Sequence, residues 1–174
     1  MTTGRILLAA TLTVFLGNPG FAQSESNQVA SETDWVVFEG ADPQECWAVT
    51  APKSTVNTRD GAEVTVRRGD ILLFVTYRPG QSVAGEVSFT GGYPFAPGSS
   101  ATLDVGGTSF DLFTDGEYAW PATPADDQRI VTAIKRGADA VITARSARGT
   151  QTKDSFSLLG ATAMIEEAEK RCTG

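Results

Sequence analysis

Thr102-Leu103-Asp104-Val105, the pair Gly106-Gly107, and Ser109-Phe110-Asp111-Leu112-Phe113 form two alternating runs around a glycine turn. Alternation of apolar and polar residues sends successive side chains to opposite faces of a strand. A Gly-Gly step between such runs meets the backbone requirement of a two-residue hairpin. The same grammar runs outward in both directions. On the N-terminal side, Trp35-Val36-Val37-Phe38 and Cys46-Trp47-Ala48-Val49 flank the turn segment Gly40-Ala41-Asp42-Pro43. Glu63-Val64-Thr65-Val66-Arg67 alternates as a half-buried strand should. After Gly69-Asp70, the unbroken run Ile71-Leu72-Leu73-Phe74-Val75-Thr76-Tyr77 predicts a central strand covered on both faces, stopped by Arg78-Pro79-Gly80. Gly85-Glu86-Val87-Ser88-Phe89 is a further strand. Gly91-Gly92-Tyr93-Pro94-Phe95-Ala96-Pro97-Gly98 reads as a loop bearing two aromatics.

Helical signals are confined to the last third. Thr123-Pro124-Ala125-Asp126 combines an N-cap hydroxyl, a first-turn proline and an early acid, and Asp126-Asp127 supplies negative charge at the helix N-terminus. Ile130, Val131 and Ile134 provide the apolar face, Lys135-Arg136 the C-terminal charge, and Gly137 the stop. Ala140–Ala144 and Asp154–Leu158 predict a hairpin turning near Arg148-Gly149. Ala161 to Arg171 predicts a short helix with Met164, Ile165 and Ala168 inward. The expected fold is one mainly β domain, an antiparallel β-sandwich or partly closed barrel with two short C-terminal helices.

The N-terminus has the order of a secretory signal peptide. Arg5 precedes the apolar run from Ile6 to Leu16, Gly17-Asn18-Pro19 breaks it, and Gly20-Phe21-Ala22 predicts cleavage after Ala22. The run is too short for a transmembrane helix, which needs ~20 residues. Residues 1–22 are read as the signal, 23–33 as a polar, flexible arm, and 34–174 as the domain. The expectation is an exported protein, periplasmic or extracellular, with no transmembrane segment in the mature chain. Cys46 and Cys172 are the two cysteines. An oxidising compartment and an even count predict a disulfide between them. The chain has no histidine and no C-x-x-C, which disfavours the rival metal-site and redox readings. No metal or cofactor is expected.

A formal charge of −7 leaves no electrostatic reason to bind nucleic acid or anionic lipid. With no histidine, a Ser-His-Asp or Cys-His arrangement is excluded within one chain. Asp104, Asp111, Asp115 and Glu117 could supply paired carboxylates, but strand acids of this kind more often face solvent. Arg68-Gly69-Asp70 spells a cell-adhesion tripeptide, although Gly-Asp is ordinary turn chemistry. Lys53, Arg145, Arg148 and Lys153 read as a solvated hairpin tip. The candidate partner-binding residues are the aromatics Tyr93, Phe95, Tyr118 and Trp120, since loop aromatics anchor peptides or sugars. Against this, Trp120 also suits a residue sealing the core below the helix that starts at Pro124.

Taken in order, Asp34-Trp35, Glu45-Cys46-Trp47, Arg68-Gly69-Asp70-Ile71-Leu72, Ile134-Lys135-Arg136-Gly137-Ala138, Phe156-Ser157-Leu158-Leu159-Gly160 and Cys172 make the mature region resemble the invasion-associated locus B family of exported bacterial proteins. The resemblance implies a periplasmic or envelope-associated β-rich domain, and it brings no catalytic residues with it. Several members of that family carry an additional cysteine pair in mid-domain, which this chain lacks. The function expected is a non-enzymatic envelope binding or maintenance module whose partner is an envelope protein or other envelope component. A histidine-free hydrolase and a host-facing adhesin are the alternatives.

Overall fold

Val105 pairs with Thr108 across Gly106 and Gly107, whose φ angles are 57° and 84°. The central hairpin therefore forms as its glycines predict, joining β8 (Ser100–Val105) to β9 (Thr108–Asp115). The computed structural model describes residues 27–173, so the signal segment 1–22 lies outside the described residues. Before the hairpin come β1 (Gln28–Glu32), β2 (Trp35–Ala41), β3 (Gln44–Thr50), β4 (Ser54–Arg59), the two-residue β5 (Ala62–Glu63), β6 (Leu72–Arg78) and β7 (Val83–Thr90). After it come β10 (Tyr118–Trp120), α1 (Pro124–Arg136), β11 (Asp139–Arg145), β12 (Gln151–Ser157) and α2 (Ala161–Thr173).

All twelve strands join one antiparallel sheet in the order β1-β2-β3-β6-β7-β10-β9-β8-β11-β12-β4-β5. Its two ends do not pair, so the partly closed barrel gives way to a sheet folded over on itself in the manner of a sandwich. Phe89 of β7 meets Phe156 of β12 edge-on, with ring centroids 6.2 Å apart, although four strands separate them in the ladder. The indole N–H of Trp35 on β2 donates to the Ser157 carbonyl at 3.1 Å. Leu73, Val75, Val87, Phe89, Leu103, Leu112, Ile142 and Phe156 fill the interior. Each such side chain contributes about 1.5–3 kcal/mol of burial.

Both helices form where capping and periodicity place them. The Thr123 hydroxyl accepts the Asp126 N–H at 3.2 Å, and Ile130, Val131 and Ile134 are buried. Gly137 ends α1 for a reason other than a left-handed cap. Its φ is −83°, but a Cβ there would lie 2.8 Å from both Leu158 and Val105 side chains. Met164, Ile165, Ala168 and Cys172 bury one stripe of α2. The Cys46–Cys172 disulfide, Cα–Cα 5.8 Å, fastens that helix to β3 across 126 residues of sequence. On chain-entropy grounds such a closure stabilises the fold by roughly 4–5 kcal/mol.

Three expectations need correction, and one strand was not expected. The arm read at 23–33 is, from Gln28 onward, the edge strand β1, paired with β2. Its polarity reflects an edge position with solvent on one side, not lack of structure. Ser54–Arg59 is a strand, β4, that its Ser/Thr/Asn composition conceals. Glu63–Arg67 leaves the ladder after β5, apart from a Val64 N–H bond to Asn57 at 2.9 Å. Residues 64–71 must carry the chain from one end of the sheet to a place between β3 and β7, which a continued ladder would prevent. The run read as covered on both faces forms β6, with Leu73 and Val75 inward and Leu72 and Phe74 only half-buried.

That crossover is pinned by Arg68. Its guanidinium donates twice to the Asp154 carboxylate of β12, both bonds at 2.6 Å, and its Nε–H donates to the Gly91 carbonyl at 2.8 Å. The pair is almost wholly interior, with side-chain exposures of 6% and 0%. Next to it, Gly69 donates to the Gly92 carbonyl at 2.9 Å. Gly92 has φ +69°, and a Cβ there would sit 2.5 Å from the Gly69 carbonyl oxygen. Only glycine permits this approach. The Arg68-Gly69-Asp70 tripeptide is thus a fastening whose arginine is consumed internally by Asp154 and the Gly91 carbonyl.

Leaving one buried charge without its partner costs about 3–5 kcal/mol, whereas an apolar pair of similar volume is close to neutral. Asp154→Ala should therefore lower the urea midpoint sharply. The double substitution Arg68→Met with Asp154→Leu should recover much of the loss, as read by equilibrium denaturation.

Candidate functional site

Side chains alternate across the first half of the sheet. Trp35, Val37, Cys46, Ala48, Leu73, Val75, Val87, Phe89 and Ala119 point inward and are buried. The residues between them emerge on the opposite face: Phe38 on β2, Trp47 on β3, Phe74 on β6, Tyr118 and Trp120 on β10, and Phe113 on β9. Register brings these into two banks. Phe38 lies opposite Trp47, ring centroids 5.7 Å apart and 14° from parallel. Trp120 lies opposite Phe113 at 5.6 Å and stacks beside Tyr118 at 5.8 Å. Phe113 and Tyr118 remain 51% and 45% exposed.

Between the banks run β6 and β7, whose outward residues include, beside Phe74 and Glu86, the smaller Thr76, Ser88 and Thr90. Small hydroxyl side chains flanked by large rings leave a trough. A hollow of about 200 Å³ opens there against Trp47, Phe74, Thr76, Ser88 and Tyr118. One end is closed by charge. The Arg78 guanidinium donates to Glu45 at 2.6 Å and to Glu86 at 2.9 Å, and these two carboxylates hold it charged above the ordinary arginine range against the opposing cost of its burial. On the far side of Trp120, a hollow of about 390 Å³ is lined by Glu86, Phe113, Pro121 and Asp127 among others. The Asp127 carboxylate accepts the Val87 N–H at 2.8 Å. Burial raises its pKa, opposed by that bond and assisted by the nearby charges of Glu86 and Asp126.

The four aromatics singled out in sequence do not form one site. Tyr118 and Trp120 belong to the outer face. Tyr93 and Phe95 lie elsewhere, because the Gly91–Gly98 segment is tucked inward. Phe95 is only 5% exposed and packs 6.1 Å from Phe89. Its N–H donates to the Gly116 carbonyl at 2.8 Å, and Phe95 bridges to Ser146. Tyr93 shares a hydroxyl–hydroxyl hydrogen bond with Thr152, and the Arg68 guanidinium stands 5.0 Å over its ring. Phe38, Trp47, Phe74 and Phe113 are the residues that sequence reasoning missed. Trp35-Val36-Val37-Phe38 is apolar at every position, so alternation cannot say which pair faces out.

Of the acids considered for hydrolysis, Asp104 has a structural role. Asp104 accepts from the Gly107 N–H and the Ser109 hydroxyl, both at 3.0 Å, which fixes the hairpin turn. Asp111 is exposed and lies opposite Thr102. Of the cations grouped in sequence, Lys53 pairs with Asp34 at 2.7 Å. Among the described residues, no cluster of potential metal ligands occurs and no helix is long and apolar enough to cross a membrane. Comparisons with protein-family models, curated proteins and solved structures find no match for this chain.

An aspartate with a raised folded-state pKa weakens the fold as it ionises. Stability should fall as pH rises through the range just above the unfolded value of 3.8. Asp127→Asn keeps the acceptor without the charge, so its melting curve should lose this step, with wild type and variant converging in acid.

Proposed function

We propose that this chain is an exported, non-enzymatic binding module of the cell envelope that recognises an envelope protein through the aromatic outer face of its sheet. The observation that carries the reading is the pair of ring banks, Phe38–Trp47 and Phe113–Trp120–Tyr118, set either side of a hydroxyl-lined trough. A sheet face normally presents polar side chains to water. Here five strands contribute rings instead, and two of those rings are about half exposed. Aromatic residues at the centre of a patch with charge at its rim, here Glu45, Arg78 and Glu86, are the composition of a protein-binding hot spot.

Export is supported by the signal-like N-terminus and by the Cys46–Cys172 disulfide, since oxidised structural pairs persist outside the cytosol. The resemblance to the invasion-associated locus B family points the same way. Recognition needs no reacting group, and the trough's polar lining is hydroxyl-rich with a charged end already paired within itself.

Phe113→Ser with Tyr118→Ser removes exposed ring surface without opening the interior. Crosslinking capture from the native envelope should lose its partner in this variant, while the melting temperature changes little. Equal capture by wild type and variant would overturn the reading, and retention on envelope glycan alone would replace the protein partner with a carbohydrate. Phe95→Ala provides the contrast. It should cost about 3–5 kcal/mol in stability, with capture unaffected below its melting transition.

A further inference from the structure

The crossover, the Tyr93 loop and the β11–β12 turn line a hollow of about 590 Å³ that shares no lining residue with the aromatic banks. Its lining includes Arg59, Arg67, Arg68 and Arg148, against a single carboxylate, Glu117. Arg68 is neutralised by Asp154 behind it. Among the described residues, Arg59, Arg67 and Arg148 have no carboxylate partner, as is also true of Arg136 and Arg145 outside the hollow, whereas Arg78, Arg129 and Arg171 each have one. Three arginines without a carboxylate partner therefore line one hollow, which makes it locally basic although the whole chain is acidic, with a net charge of −7.

The backbone that carries these arginines is held firmly. Arg67 adjoins the pinned Arg68. The turn bearing Arg148 is closed by the Ser146 N–H to Thr150 carbonyl bond at 2.9 Å and the Thr150 N–H to Ser146 hydroxyl bond at 3.1 Å. It is joined to the Tyr93 loop by the Ala147 N–H donating to Pro94 at 2.8 Å. Arg59 is oriented by donating to the Thr150 hydroxyl at 2.6 Å. Guanidinium forks match the oxygens of phosphate in charge and in spacing. The volume suits a small-molecule ligand.

We infer that this hollow binds a phosphate-bearing ligand, with Arg59, Arg67 and Arg148 contacting the phosphate oxygens. The inference is independent of the aromatic face and of the partner proposed for it. Inorganic pyrophosphate is the probe, titrated calorimetrically into the intact oxidised protein. Saturable binding with a Kd below about 1 mM is expected. Arg67→Gln with Arg148→Gln, both exposed positions outside any ion pair, should weaken it by roughly tenfold or more. Phe113→Ser with Tyr118→Ser should leave it unchanged.

A parallel arm uses vesicles of phosphatidylcholine with and without phosphatidylglycerol. Binding to the anionic vesicles that pyrophosphate displaces would assign the phosphate to a lipid headgroup. Pyrophosphate binding without vesicle binding would assign it to a soluble ligand. Absence of saturation, or equal affinity in the folded arginine double variant, would overturn the inference.

Discussion

The Arg68–Asp154 pair is the constraint on which the arrangement depends. It lies where the chain passes from one end of the sheet to its middle, and it ties that passage to a strand that β6 does not touch in the ladder. Two charges taken out of water are tolerable only when their hydrogen-bonding capacity is met. Here the fork is filled by both carboxylate oxygens and by the Gly91 carbonyl, and the Tyr93 ring covers its face. The consequences spread outward. Gly69 and Gly92 come into backbone contact, Tyr93 is drawn toward Thr152, and Phe95 is carried into the interior against Phe89. A loop with the composition of a ligand-binding segment thereby becomes part of the core.

The two faces of the sheet consequently divide the work. The inward face is closed by the sheet's own far strands and by α2, whose disulfide to β3 prevents it from leaving. The outward face of the first six strands in the ladder has no covering element among the described residues, yet it is built largely of rings. Thr76, Ser88 and Thr90 show little exposure there, low between larger neighbours. The rings of that face pack against one another, Phe38 on Trp47 and Trp120 between Phe113 and Tyr118.

Local features were readable residue by residue. The Gly106-Gly107 hairpin, the Thr123 cap, the apolar stripe of α2 and the pairing of the only two cysteines each depend on neighbouring residues or on elimination, and all form. Where composition and position disagreed, the reading failed. Polar Gln28–Glu32 and Ser54–Arg59 are strands near the sheet's edges, and alternating Val64-Thr65-Val66 is not a strand, because ladder partners, not side-chain pattern, decide membership. Gly137 was placed correctly at the end of α1 but for a different cause, the crowding of Leu158 and Val105.

By itself the amino-acid order determined the class of fold, both helices, the main hairpins and the disulfide, since these follow from periodicity, capping and turn chemistry within short spans. Tertiary structure alone decided which aromatics share a surface and which arginine is spent internally. Strand alternation assigns side chains to two faces without saying which face is covered, and that choice belongs to the curvature of the whole sheet. Tyr118 and Trp120 thus found Phe113, Trp47, Phe38 and Phe74 as company on the sheet's outer face, while Tyr93 and Phe95 went inward with Arg68.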